Sequence, residues 1–502
     1  MNKILLLVAC FFISYSSFAN DKPNVLFIAV DDYRDWAGTY NAQSGIKTPN
    51  IDALGNRGMT FLNAHCNAPI CGPSRASLLS GLRPSSTGVY GFQSWKDQAT
   101  GKVETLFGHF QKNGYATYGG GKLHHGKASV GNNGPLARDW NEYYPSIKEV
   151  YPRPVSKVVR DDLIFEKSYV KWFSTNATND FQDLDGQTAE WAVGKLKLLG
   201  EEKSEQPFFL AVGFKKPHLP WIAPRKYFDM YDPAKIKVPN FETQSIKGLS
   251  RAGIIHLKYQ IHEQLKYYEK TREAVRAYMA CVSYIDALVG HVMLALDESG
   301  LAENTVVVLC SDHGFHLGEK GHWGKVTLYE QSTRVPLIVY DPRMKYTAHQ
   351  SNSPVELLDI YPTLVELCVV DKPAHQLEGL SLVSQMKNPE QTRRPAVTTH
   401  GRNSHAITSE DYHYIRYFDG SEELFDRKKD PDGINNISDE EFSETIKSEL
   451  RQYIPNTNAP NTLPCENPRY WRVDYPNVEK LMHFRKQFYK RDLDSFFAEK
   501  EK

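Results

Sequence analysis

Neither sign of charge dominates this chain: 60 Lys and Arg stand against 60 Asp and Glu over 502 residues. The balance excludes a surface built for nucleic acid, which needs a basic excess. It leaves room for a local cationic pocket. Close cysteine pairs are also missing. Cys10, Cys66, Cys71, Cys281, Cys310, Cys368 and Cys465 are scattered, which excludes a zinc ribbon and a dense disulfide framework. Cys281 and Cys310 fall in apolar runs and read as core. Long apolar runs are scarce. The N-terminal one, residues 4–13, is too short to span a bilayer, and no later segment reads as a span. No stable membrane association is therefore expected. There is no internal repeat and no low-complexity block, so a solenoid or a fibrous chain is excluded.

What is present begins with an export signal. Lys3, the short apolar core and Ser17-Phe18-Ala19 predict a signal peptide over residues 1–19, cleaved after Ala19. The expected destination is the periplasm or the medium. Leu7-Val8-Ala9-Cys10 resembles a lipoprotein box, but the apolar core runs past it, so anchoring through Cys10 is not expected.

Three apolar runs then read as strands buried on both faces, and each ends in chemistry. Asn24-Val25-Leu26-Phe27-Ile28-Ala29-Val30 is followed by Asp31 and Asp32. Phe208-Phe209-Leu210-Ala211-Val212 leads to Lys215-Lys216-Pro217-His218. Val306-Val307-Val308-Leu309-Cys310 leads to Ser311-Asp312-His313. A fourth strand, residues 115–120, closes in glycines before Lys122-Leu123-His124-His125. Parallel sheets carry their sites at the carboxyl ends of strands. Adjacent carboxylates there repel one another, and a bound cation is the usual remedy. A solvated turn with a helix cap is the alternative for Asp31-Asp32 taken alone. Helices are expected over 103–113, 186–199 and 269–296, and from Thr48-Pro49.

Cys71-Gly72-Pro73-Ser74-Arg75, continuing to Leu79-Ser80-Gly81, is a turn running into a helix. With Pro73 at the first helical position, Cys71 would sit just before the N-terminus. There the unpaired N–H groups favour an anion and depress a thiol pKa. Cys-x-Pro-Ser-Arg followed by Leu-Ser-Gly resembles the signature of the formylglycine-dependent type I sulfatases of the alkaline phosphatase superfamily. Pro217-His218-Leu219-Pro220 and Asp312-His313 resemble its iduronate-2-sulfatase-like branch, and Gly318 to Lys325 resembles the family's segment whose lysine binds sulfate.

The resemblance implies an α/β fold with a large mixed, mostly parallel sheet flanked by helices. A smaller C-terminal α+β subdomain would stand on an antiparallel sheet. The implied division is a catalytic domain over 20–383 and a C-terminal subdomain and tail over 384–502. The resemblance also implies that a sulfatase-maturating enzyme oxidises Cys71 to formylglycine (3-oxoalanine), whose hydrate attacks sulfur. Asp31, Asp32, Asp312, His313 and residue 71 would hold one divalent cation, expected to be calcium, although imidazole is an unusual partner for it. Arg75, Lys122, His218 and Lys325 would be catalytic, along with one histidine after Lys122. Lys-x-His spacing selects His124 and the branch's Lys-x-x-His spacing selects His125; the branch features favour His125.

Residues 141–183 lack periodicity and read as an insertion over the site. After residue 384, short polar and aromatic runs read as antiparallel hairpins, whose loop residues His400, Arg402, Asn403 and His405 either reach substrate or face solvent as ordinary polar residues. The expected activity is hydrolysis of sulfate monoesters on a sulfated polysaccharide or its oligosaccharides. Phosphonate or phosphodiester hydrolysis, hydrolysis of a choline-type sulfate ester, and a non-catalytic carbohydrate-binding relic are the alternatives.

Overall fold

The computed structural model describes residues 22–40, 45–92, 103–125, 137–144, 160–239 and 248–461. The expected signal peptide, Cys10 and Cys465 lie outside these residues. The first apolar run is β1 (Asn24–Asp31), buried from Val25 onward. It joins an eight-stranded sheet with β2 (Met59–Phe61), β3 (Ala116–Gly121), β4 (Glu142–Tyr144), β5 (Phe208–Pro217), β6 (Thr305–Ser311), β7 (Leu337–Tyr340) and β8 (Gln350–Ser351). The order is β8-β2-β7-β6-β1-β5-β3-β4, and only β7 runs against the rest.

Side chains alternate between two cores, which explains why the central strands read as continuous apolar runs. Leu26, Ile28, Val30, Leu210, Val212, Val307 and Leu309 face one core. Val25, Phe27, Ala29, Phe209, Ala211, Val306 and Val308 face the other. α1 (Pro49–Arg57) and α2 (Cys71–Ser80) are followed by two helices of the first core, α3 (Leu184–Glu202) and α4 (Thr271–Glu298).

Several boundaries depart from expectation for identifiable reasons. α2 starts at Cys71, so Pro73 is its third residue rather than its first. The amides of a first turn have no intrahelical acceptor, so a proline there costs no hydrogen bond. α4 starts two residues late because Glu269 takes a left-handed φ of 53°. Thr48 does not cap α1. The carboxylate of Asp286, from α4, accepts from the Asn50 and Ile51 amides at 3.0 and 2.8 Å instead. α4 is also apolar and long enough to cross a membrane, contrary to the sequence reading. Its apolar window is 78% buried, which makes it the core helix of the sheet's first face.

The described parts of 141–183 are not patternless. Glu142–Tyr144 extends the main sheet. Arg160–Phe165 and Trp172–Thr175 form a small sheet with Trp221–Pro224. Their sequences, such as Arg160-Asp161-Asp162-Leu163-Ile164-Phe165 and Trp172-Phe173-Ser174-Thr175, do not alternate apolar with polar residues, so a period of two does not register. The C-terminal hairpins are borne out as four antiparallel strands, β9 (Ala396–Thr399), β10 (His405–Thr408), β11 (Tyr412–Arg416) and β12 (Glu422–Asp426). Cys66, Cys71, Cys281, Cys310 and Cys368 are buried free thiols.

Candidate active site

Parallel register brings the strand ends together. Val30 pairs with Ser311 across β1 and β6, and Asp31 pairs with Pro217 across β1 and β5. Asp31 and Asp32, Asp312 and His313, and His218 therefore leave three adjacent strands at one edge. β3 delivers Lys122 beside them. Gly121 has φ 72°, and a Cβ there would meet the Gly213 carbonyl oxygen at 2.1 Å. Only glycine allows that approach, and it lets the Lys122 amide donate to Gly213 O at 2.7 Å.

The turn at Asp32 is held from outside the strand. Its φ is 65°, a left-handed conformation that Asp tolerates better than most residues. Tyr278, on α4, donates its hydroxyl to Asp32 O at 2.9 Å and accepts the Arg34 amide at 3.0 Å. The Asp32 amide donates to Asp312 Oδ1 at 3.2 Å, which locks one acidic pair to the other.

α2 is pinned to the same edge. Ser74 Oγ donates to Asp312 O at 2.5 Å, and Arg75 Nε donates to Asp312 Oδ2 at 2.8 Å. Arg75 Nη1 donates to Lys122 O at 2.6 Å. Cys71 is thereby placed among cations. Its Sγ lies 3.0 Å from Lys325 Nζ, 3.2 Å from His313 Nε2 and 3.9 Å from Lys122 Nζ. Each lysine bridges the sulfur to an acid, Lys122 to Asp31 and Lys325 to Asp32 at 2.5 Å. Lys325 arrives through Val326, a β-branched residue at φ 76° whose amide donates to Pro69 O at 3.0 Å. Strain of that kind concentrates at functional sites.

The electrostatics follow from burial and pairing. Burial and Asp31 oppose ionisation of Cys71, but Lys122, Lys325 and His313 outweigh them and hold its thiol well below the usual range. Burial likewise works against the Asp31 carboxylate, and Lys122, His218, Lys325 and Arg75 more than offset it. Asp312 is pushed up to about 7, by burial first and then by Asp31, against Arg75. Burial and Lys325 work against the charge on His313, but Asp312 and Cys71 together outweigh them and raise it to about 9.

The donor set suits a cation. Asp31, Cys71, Asp312 and His313 place ligand atoms within 4.8 Å of one another, and so do Asp31, Asp32, Cys71 and His218. Asp31 Oδ1 is buried with no hydrogen-bond partner among the described residues, and so is Arg75 Nη2, 3.8 Å away. Three buried carboxylates converging on an unsatisfied oxygen are what a hard divalent ion neutralises.

The two histidines after Lys122 separate. His124 is buried against the edges of Phe107 and Trp140, and burial followed by Arg75 lowers it to about 3. His125 is half-buried and stacks on Phe92 at 4.3 Å. Phe92 in turn abuts Gly72, where a Cβ would come within 3.1 Å of its ring. In the C-terminal region, His400 and His405 are buried rather than at the surface. Arg402 Nε and the Asn403 amide donate to Asn458, at 3.2 and 3.4 Å.

The comparisons with known proteins agree with this geometry. The family model described as "Sulfatase" matches residues 23–369. The chain belongs to the sulfatase family. A second model, described as N-sulphoglucosamine sulphohydrolase, C-terminal, matches residues 318–459. A sulfatase of Formosa agariphila is 36% identical over 457 residues, spanning 88% of this chain and 87% of that protein. Iduronate 2-sulfatase of Mus musculus is 33% identical over 346 residues, 64% of this chain and 60% of that protein. Among solved structures, a 2-O GAG sulfatase has a TM-score of 0.63 at 23% identity, covering 86% and 90% of the two chains, and shares the fold. The sulfatase described here is accordingly a sulfuric ester hydrolase of the alkaline phosphatase superfamily.

Two residues beside the site carried no distinguishing mark in the sequence. Tyr278 lies within the long helix expected over 269–296, and no local pattern marks its hydroxyl. Lys216 lies near the end of β5, two residues before His218, and nothing in the sequence distinguishes it from Lys215.

Proposed function

We propose that this sulfatase is exported and removes sulfate from a sulfated carbohydrate, with residue 71 as its nucleophile. The observation that carries the reading is the convergence of Lys122, Lys325 and His313 on Cys71 Sγ beside three buried acids. Asp31, Asp32, Asp312 and His313 would hold the divalent cation, calcium by its preference for carboxylate oxygen. When bound, it polarises oxygen and offsets the charge of the sulfate. Cys71, oxidised to formylglycine by a maturating enzyme, supplies an oxygen nucleophile where the thiol stands.

The chain's own residues do the rest. Lys122 and Lys325 bind ester oxygens as point charges. Arg75 fixes Asp312 and the start of α2 relative to Lys122. His125, rather than the aromatic-caged His124, accepts a proton at residue 71. His218 delivers the proton to the leaving oxygen. Its Nδ1 lies 2.6 Å from Leu219 O, and with that atom as the donor Nε2 is left for the ester. His218 is the better acid of the two candidates near neutral pH. Burial, against Asp32, lowers it, whereas burial of Lys325 is outweighed by Asp32, Cys71, Asp31 and Asp312 together, which raise it well above its ordinary value.

A carbohydrate substrate is supported by iduronate 2-sulfatase and the 2-O GAG sulfatase among the similar proteins. The domain division at residue 384 is part of the same reading. The test is sulfate release by matured enzyme from defined 2-O-, 6-O- and N-sulfated oligosaccharides, beside an aryl sulfate and an aryl phosphate. Release from at least one oligosaccharide, with aryl phosphate far slower, is expected. Preference for the phosphate ester, or inertness toward every oligosaccharide, would overturn the reading.

A further inference from the structure

The loop that carries His218 uses three consecutive carbonyls in an unusual way. The ring of His218 takes the middle one, Leu219 O, through Nδ1 at 2.6 Å. The outer two, His218 O and Pro220 O, accept from a single ammonium, Lys216 Nζ, at 2.8 and 2.6 Å. Lys216 is buried, with 8% of its surface exposed. A buried ammonium is costly, and most are paired with a carboxylate. The two nearby acids are occupied otherwise. Asp185 accepts the backbone amides of Lys215 and Lys216 at 2.7 and 2.9 Å. Asp183 caps α3 through the Gly186 amide at 3.0 Å and accepts the Tyr284 hydroxyl. Burial lowers Lys216 on balance, and both acids oppose that only in part, while its hydrogen bonds go to the loop.

We infer that Lys216 is a positioning residue for the departing group: its ammonium ties together the His218–Leu219 and Pro220–Trp221 peptides, which flank the Leu219 carbonyl, and so aims the His218 ring at the leaving oxygen. One ring nitrogen of His218 lies within 4.8 Å of ligand atoms on Asp31, Asp32 and Cys71. With Nδ1 committed to Leu219 O, rotation of either flanking peptide would swing Nε2 away from that point. The inference rests on the reading of His218 as the acid that protonates the leaving oxygen.

That role predicts a dependence on the leaving group. An alcohol on a sugar leaves poorly without a proton, whereas an electron-poor phenol leaves without help. The experiment measures kcat for wild type, Lys216→Met, Lys216→Arg and His218→Gln on aryl sulfates of graded phenol pKa and on a sulfated oligosaccharide. Each variant's folded fraction is checked by thermal melting. Lys216→Met is expected to lose about 10- to 100-fold on the oligosaccharide and little on the most acidic phenol, which steepens the dependence on phenol pKa. Lys216→Arg, which keeps the donors, recovers most of the loss. His218→Gln steepens the dependence at least as much. If His218→Gln steepens it and a folded Lys216→Met does not, the inference fails and the reading of His218 stands. If His218→Gln does not steepen it, that reading fails and the inference with it. Should Lys216→Met not fold, Lys216→Arg decides, and an arginine variant with a wild-type melting point and the slope of His218→Gln overturns the positioning role.

Discussion

Cys71 is the residue on which the site converges, and its surroundings do not resemble those of a packing cysteine. Cys281, Cys310 and Cys368 have thiols pushed up to about 12 by burial, whereas Cys71, equally buried, is drawn the other way by two lysines and a histidine. Cys71→Ala should keep the fold and lose at least about 1,000-fold in turnover of an aryl sulfate, the loss expected on removing a nucleophile. Asp32→Asn makes a sharper test of the cation. Asparagine also tolerates a left-handed backbone, so the melting temperature should stay within a few degrees while bound calcium, measured by elemental analysis, falls well below one per chain. Full calcium content in that variant would remove Asp32 from the ligand set. Asp31, Asp312, His313 and Lys122 each follow an apolar strand or a glycine-marked turn, which made them candidates; the resemblance to the sulfatase signature gave them their roles and alone pointed to Lys325. The choice between His124 and His125 was not. Adjacent residues differ in their ring environment only through the Phe107, Trp140 and Phe92 side chains that the fold brings to them.

At the scale of elements, the site is a set of strand ends gripped by helices from both faces. α2 grips through Ser74 and Arg75, and α4 grips through Tyr278. The Tyr278 contact lies 246 residues from Asp32 in sequence, so no local pattern could announce it. Tyr278→Phe keeps the ring packing and leaves the Asp32 carbonyl and the Arg34 amide without their partner. A destabilisation of about 1–3 kcal/mol follows for buried polar groups left unmet. A lower kcat, as the Asp32 turn loosens, should accompany it. Urea denaturation and aryl sulfate kinetics on the same preparation check both. The start of α4 was misplaced for a related reason. Glu269 suits a helix by propensity, and only its left-handed backbone in the folded chain ends the helix there.

At the scale of the whole molecule, the C-terminal sheet clamps the segment that delivers Lys325. Lys320 lies between the rings of Tyr329 and Phe425, 4.8 and 5.0 Å from their centroids. Arg427 forks onto Glu330 at 2.7 and 2.9 Å. Burial opposes ionisation of Glu330, but Arg427 prevails and holds its carboxyl well below the usual carboxylate range. Its folded pKa therefore lies under the unfolded value of about 4.3. The stability contributed by the pair is present above that pH and is lost as the pH falls below it. Glu330→Gln should cost about 2 kcal/mol at pH 7, between the values for exposed and buried pairs. The gap to wild type should close on acidification toward pH 3, as urea midpoints across the range will show. The antiparallel hairpins of this region were legible from turn residues such as Gly420, but their docking was not, because Glu330 and Arg427 lie 97 residues apart. The central claim concerns residue 71, and peptide mass spectrometry of enzyme turning over an aryl sulfate tests it most directly. The account predicts an aldehyde or its hydrate at position 71, with activity proportional to the converted fraction. Fully active protein carrying an unmodified thiol there would contradict it.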